Sequence, residues 1–163
     1  MNAILPTNHA IYLGGNFTHA GGQPRKSLAA IDSVSGRARP WSADLEFGTN
    51  AGSAYVLALY QDKILVGGIF SSVSGVSHVG LAAVDSVVGT PVASWNCNVF
   101  PVFCLLVQGG TAFVGGSFGT AGGQSRANIA AVNASTGAVL PWNPGVAGNA
   151  VQALVARGDS LYI

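Results

Sequence analysis

The chain has 163 residues, of which 49% are apolar and only 8% charged, with 23 glycines and a formal net charge of +1; an ordinary soluble domain carries about 25% charged residues and about 7% glycine. Without a basic cluster it lacks the electrostatic footprint of a nucleic-acid binder, and its apolar content excludes disorder. The longest apolar run, Val99 to Val107, is interrupted by Pro101 and falls far short of the ~18 residues of a membrane helix, so neither a nucleic-acid partner nor membrane insertion is predicted.

Met1 to Pro6 has no basic stretch and no long apolar run, so it does not read as a signal peptide. Ala3-Ile4-Leu5 is predicted to be the remnant of a first strand. In Tyr12-Leu13-Gly14-Gly15-Asn16-Phe17, strand alternation puts Leu13, Gly15 and Phe17 on one face and Tyr12, Gly14 and Asn16 on the other. The glycine pair leaves each face a spot without a Cβ, which a neighbouring sheet or a bulky ring can approach. The tryptophans are predicted to fill such spots. The pair Ala29-Ala30 is predicted to give the adjacent sheet the same close approach.

Ser42 to Ser53 is a longer connection than its later counterparts, and it carries Asp44 and Glu46. Insertions in repeat proteins map to one face, often the binding face. This loop, with Asp44 and Glu46, is therefore the candidate contact surface. Two acids are too few for calcium, which takes six to eight oxygens, so no metal or cofactor is expected.

Four strands follow in the next stretch: Val56 to Tyr60, Ile64 to Ser71, Gly80 to Asp85 and Thr90 to Trp95. Their turns are Gln61-Asp62-Lys63, Val73 to Ser77, and Ser86 to Gly89. In the last of these Asp85 can bond local amides and Gly89 can supply a positive φ. Cys97 and Cys104 do not make a disulfide framework. Cys104 aligns with Ala58 and Ala153 at a buried small-residue site, which favours free thiols over a disulfide. Val151 to Leu154 repeats Val56 to Leu59, and Leu161-Tyr162-Ile163 repeats Ile11-Tyr12-Leu13. A further repeat thus begins, and the chain reads as a piece of a longer protein; the alternative is two chains closing one ring.

These elements recur. Gly14-Gly15, Gly67-Gly68 and Gly115-Gly116 are each followed by Phe17, Phe70 and Phe118, then by Gly22, Gly75 and Gly123. Next come the alanine pairs Ala29-Ala30, Ala82-Ala83 and Ala130-Ala131, the turn residues Asp32, Asp85 and Asn133, the glycines Gly36, Gly89 and Gly137, and the tryptophans Trp41, Trp95 and Trp142. The period is about 50 residues, and the residue pattern inside it has a period of two. Repeated four-stranded antiparallel meanders are the blades of a β-propeller. The expected architecture is all-β, with about three four-stranded blades in an incomplete ring. The repeats run approximately 3–50, 51–98 and 99–147, with a truncated fourth over 148–163.

The string Gly-Gly-x-Phe-x-x-x-Gly-Gly-Gln-x-Arg, with the later Ala-Ala-x-Asp/Asn and Pro-Trp-Asn, resembles the bacterial delta-60 propeller repeat. Repeat three carries it through Gln124, Arg126 and Pro141-Trp142-Asn143, and repeat one through Gln23, Arg25 and Pro40-Trp41. Repeat two departs at Val76, His78 and Cys97. The resemblance implies a propeller in a large exported or cell-surface protein and supplies no catalytic residue. Ala131 to Trp142 is also similar, more weakly, to the tryptophan-docking motif of quinoprotein propellers.

Chemistry is sparse. Gly115-Gly116-Ser117-Phe118-Gly119 fits the G-x-S-x-G nucleophile elbow formally, but that elbow needs a following helix, which is not predicted. His9, His19 and His78 have no metal-ligand spacing. Arg25 and Arg126 share a repeat position, which suggests bonds to turn carbonyls or to a neighbouring Asp. The expectation is a non-catalytic binding or structural module that packs against further blades, with a protein or glycan ligand. The alternative is part of a quinoprotein-like or hydrolase propeller whose active site lies outside these residues.

Overall fold

Each repeat folds into its own small antiparallel sheet. The structure, a computed structural model, describes residues 1–163 and contains strands and no helix. Blade I consists of β1 (Ala3–Pro6), β2 (Ile11–Gly14) and β5 (Leu28–Ile31). A two-residue hairpin, β3 (His19–Ala20) with β4 (Gln23–Pro24), projects between β2 and β5. The long connection forms β6 (Leu45–Phe47) and β7 (Asn50–Ala51).

Blade II is β8 (Ser53–Tyr60), β9 (Lys63–Ile69) and β12 (Leu81–Asp85), with the hairpin β10 (Ser72–Val73) and β11 (Val76–Ser77). Blade III is β13 (Val102–Gln108), β14 (Thr111–Gly116) and β17 (Ile129–Asn133), with the hairpin β15 (Thr120–Ala121) and β16 (Gln124–Ser125). β18 (Val155–Arg157) and β19 (Ser160–Tyr162) form a last two-stranded sheet. β8 lies against β1 on one side and β13 on the other, so the first strands of successive blades adjoin. The result is an open arc of propeller-type blades; no sheet closes into a ring.

The fourth strand of each blade is shorter than expected. Thr90 to Trp95 does not form a strand; the outer segment makes one bridge per blade, Ile31 to Ala38, Val84 to Pro91 and Val132 to Val139. Prolines at 40, 91 and 141 lack the N–H that would extend this edge. The hairpin before it is as predicted. Asp85 Oδ1 accepts from the amides of Val87 and Val88 at 2.7 and 2.8 Å, and Gly89 has φ +85°. Asp32 and Asn133 make the same turn.

The core lies between blades. One cluster joins Tyr12, Ala30 and Trp41 of blade I to Ile64, Val66, Ala82 and Val84 of blade II. A second joins Leu65, Ala83 and Trp95 to Ala112, Val114, Ala130 and Val132. The alanine pair serves not one adjacent sheet but both neighbours: Ala82 faces backwards and Ala83 forwards.

The glycine pairs accommodate something other than tryptophan. A methyl group on Gly67 would come 2.5 Å from Cγ1 of Val102, and one on Gly115 would come 2.7 Å from Cγ1 of Val151. The chain entering the next blade fills this spot, at the start of β13 for Val102 and just ahead of β18 for Val151. The second glycine faces a main-chain carbonyl, that of Ser53 at Gly68 and of Pro101 at Gly116. Register also corrects the position of Cys104. It pairs with Gly115 as Val56 pairs with Gly67, two residues out of step with the Ala58 alignment. Both strands carry a bulge at the equivalent residue, Tyr55 and Phe103, where one extra residue shifts the alternation.

Candidate functional site

Blades I and II each end in a tryptophan that crosses to the next blade. Trp41 Nε1 donates to Asp85 O at 2.8 Å, and Trp95 Nε1 donates to Ala134 O at 2.9 Å. Trp95 lies on the hairpin glycine of blade III, with its Cδ2 3.0 Å from where a Gly137 Cβ would stand. Both rings are buried, at 4% and 1% exposure. Trp142 is 39% exposed and packs edge-on against Phe113 of its own blade at 5.2 Å.

The repeated arginines aim the chain towards this dock. Arg25 donates to Pro24 O and Arg39 O at 2.7 and 2.8 Å; Arg126 donates to Ser125 O and Leu140 O, both at 2.8 Å. Arg39 and Leu140 immediately precede the Pro-Trp step. The arginines therefore bond carbonyls, as one of the two expectations held, and neither pairs with an aspartate. His78 takes this position in blade II. It is wholly buried, and neither ring nitrogen has a hydrogen-bond partner.

A second repeated position escaped the sequence reading. Ser27, Gly80 and Asn128 all have positive φ, at 70°, 71° and 62°. Ser27 Oγ donates to Gly52 O, and Asn128 Nδ2 donates to Val146 O and Gly148 O. At Gly80 a side chain would meet Val99 O. Ser27 and Asn128 tie their blades to the connection leading to the next, and at Gly80 that connection passes too close for any side chain. The signal was a Ser/Gly/Asn column just before the alanine pair, residue types tolerant of left-handed backbone.

The cavities lie at blade boundaries. The largest, about 440 Å³, sits between blades I and II beside His9, Tyr12, Arg39, Trp41 and Val87. Its polar atoms are mostly engaged: Tyr12 Oη donates to Ser86 O, and Arg39 pairs with Asp32 at 3.3 Å. Burial raises the Tyr12 phenol above its ordinary value, which keeps it a donor. The second, about 330 Å³, opens on the outer face of blade I beside Leu13, Phe17, Ala20, Ile31 and Gly36. These are the positions that receive the preceding blade elsewhere. Their counterparts Val66, Val84, Val114 and Val132 are wholly buried.

Asp44 and Glu46 sit in a folded hairpin. β6 pairs with β10, so β11, β10, β6 and β7 form one four-stranded sheet. Glu46 Oε2 accepts from Ser72 Oγ at 2.6 Å and from the Gly75 amide at 3.2 Å. Asp44 Oδ1 accepts from the Lys26 amide at 3.2 Å. Both carboxylates thus brace the connection that carries them.

On this sheet's border stand aromatic rings that the sequence reading did not single out. Phe47 and Phe100 stack at 5.7 Å with an interplanar angle of 4°. Tyr55 and Phe103, the bulge residues of β8 and β13, approach to 6.0 Å. Apolar rings at Phe47 and Phe100, outside every predicted strand, were the available signal.

The remaining candidates stand apart. Ser117 Oγ donates to Asn149 O at 2.7 Å, and no helix follows it, so it lacks the elbow geometry. Cys97 and Cys104 are free and buried, and desolvation pushes their thiols up to about 12 and about 11, far from thiolate reactivity. No group of three or more His, Cys, Asp or Glu side chains is placed to hold a metal ion.

The sheets, their repeat and the tryptophan dock define an array of β-propeller blades. Within it, residues 62–82 match the family described as Domain of unknown function (DUF5122) beta-propeller. The match falls on blade II, the repeat that departs most from the Gly-Gln and Arg pattern. No curated protein matches the chain.

Proposed function

We propose that the chain is a non-catalytic binding and structural module of propeller blades, related to the delta-60 repeats, within a larger exported or cell-surface protein. The observation that carries this reading is how the recurring polar side chains are used. Asp32, Asp85 and Asn133 hold hairpin amides, Arg25 and Arg126 hold carbonyls, and Trp41 and Trp95 hold the next blade. Such groups build a scaffold. The extracellular assignment rests on the family resemblance alone.

The open groove at Leu13, Ile31 and Gly36 supports a further partner: a blade presenting a tryptophan of the same repeat. Gly36 has nothing within 4 Å of its absent Cβ, whereas Gly89 and Gly137 are covered by Ser42 and Trp95.

The test is a turnover screen on the whole chain. Ester, peptide and glycosidic substrates, and an alcohol supplied with a quinone acceptor, should all give rates equal to buffer. Turnover that disappears in Ser117→Ala would establish the hydrolase reading instead. Quinone-dependent oxidation would establish the dehydrogenase reading.

A further inference from the structure

We propose that the cavity between blades I and II binds a small carboxylic acid with an apolar body, held through Arg39. This names a ligand for the binding-module reading and rests on it. The repeat supplies its own comparison, because the boundary between blades II and III is built from equivalent positions. No cavity lies there; the cavities lie at the first boundary, on the outer face of blade I and beside the last sheet.

Two residues account for the difference. Tyr60 pairs with Lys63 at the end of β8, packs against the second core cluster, and has its hydroxyl 3.3 Å from Ser135 Oγ on the hairpin of blade III. Thr7 holds the equivalent place in blade I, where its amide and its hydroxyl both bond Ala10 O within their own turn. Val87, the counterpart of Ser135, is left 78% exposed and lines the cavity. The second residue is Arg39. The amides of Arg39, Val92 and Leu140 bond the carbonyls of Ala30, Ala83 and Ala131, so the three positions are equivalent. Val92 packs on the second cluster, whereas Arg39 lines the cavity. One boundary is filled by a tyrosine and a valine; the other has a space and a charge.

The chemistry of the lining selects the ligand. A volume of about 440 Å³ falls within the range of ligand sites, which are mostly apolar with a few placed polar groups. Ala10, Ala30, Pro40 and Val87 line it together with Tyr12 and Trp41, which suits an apolar body. Arg39 is the only Lys, Arg, Asp or Glu in the lining. Its guanidinium carries five N–H donors and gives one, at 3.3 Å, to Asp32 Oδ2. Asp32 Oδ1 is held separately by the Val34 amide and by the amide and hydroxyl of Ser35. Arg39 can therefore take a second acceptor without stranding Asp32. A guanidinium fork matches a carboxylate through two parallel hydrogen bonds. A doubly charged phosphate fits less well, because the single cation is already shared with Asp32.

The whole chain is titrated by calorimetry with phenylacetate, indole-3-acetate and hexanoate. At least one should bind saturably, and the corresponding neutral amide should bind at least about tenfold more weakly. Arg39→Leu should weaken the acid by about tenfold or more. It should keep the unfolding midpoint, since Leu140 occupies the same position in blade III. Thr7→Tyr should abolish binding by filling the space, as Tyr60 does at the next boundary. If Thr7→Tyr does not fold, Arg39→Leu decides alone. Failure of all three acids to bind overturns the site. So does binding that survives both substitutions, or an amide that binds as tightly as its acid. Tighter binding of phenyl phosphate than of phenylacetate overturns the carboxylate assignment. Loss of the site in any of these ways leaves the binding module standing. Chemical conversion of a bound acid would support the site and sink the non-catalytic reading.

Discussion

His78 shows how one substitution in a repeat changes its chemistry. Where Arg25 and Arg126 span two carbonyls, the shorter imidazole has no partner for either nitrogen. Burial lowers its pKa below 6.5. The unfolded chain therefore binds more protons between the folded pKa and 6.5, and stability rises with pH across that window. It is fully present above 6.5 and falls as the solution is acidified. The urea midpoint should drop between pH 7.5 and pH 5.5, and His78→Leu should flatten most of that slope. An unchanged slope in the variant would show that another group is responsible. Asp32, held at about 2 chiefly by the Ser35 amide and hydroxyl, titrates below this window and loses its contribution only in stronger acid. The sequence marked His78 as the odd member of its column; its complete burial is a feature of the folded chain.

Among the elements, the Trp-bearing connection joins one sheet to the next. Trp95 is fixed by a hydrogen bond to Ala134 O and by its contact at Gly137, whereas Trp142 touches Phe113 of its own blade. Trp95→Ala should cost about 3–5 kcal/mol in chemical denaturation, as expected for a buried aromatic ring. Trp142→Ala should cost about 1 kcal/mol or less. Equal losses would refute the dock as the joint. The positions of the tryptophans were legible in the sequence, because three of them recur in step. Their destination was not, since a ring that crosses to the next blade satisfies the same spacing as one that folds back on the glycine pair. The bulges at Tyr55 and Phe103 were hidden for a related reason. An inserted residue leaves the composition of a strand intact and shifts only its register.

For the whole molecule, low charge and high glycine reflect sheets that are buried on both faces. Where a face stays open, the same residues become a liability. Leu13 and Ile31 are partly exposed, while their counterparts in blades II and III are wholly buried. Val155, Tyr162 and Ile163 are 60%, 54% and 63% exposed. The isolated chain should self-associate with rising concentration in light scattering. Leu13→Lys with Ile31→Lys should shift it towards monomer without unfolding it. A wild-type chain that stays monomeric and soluble would contradict the open-face argument.

The sequence by itself determined the class of structure. Glycine pairs, alanine pairs, Asx turns and tryptophans repeat at fixed offsets; a local pattern of period two builds strands, and the short turns between them pair those strands antiparallel. It also placed the turn at Asp85 and Gly89, because turn chemistry acts over a few residues; for the arginines it left carbonyls and an aspartate both open. Tertiary structure alone decided what fills the glycine spots, where each indole lands, and that Asp44 and Glu46 brace a shared sheet. It also brought Phe47 to Phe100. Those contacts join residues tens of positions apart on different blades, and no local periodicity encodes how one sheet settles on the next.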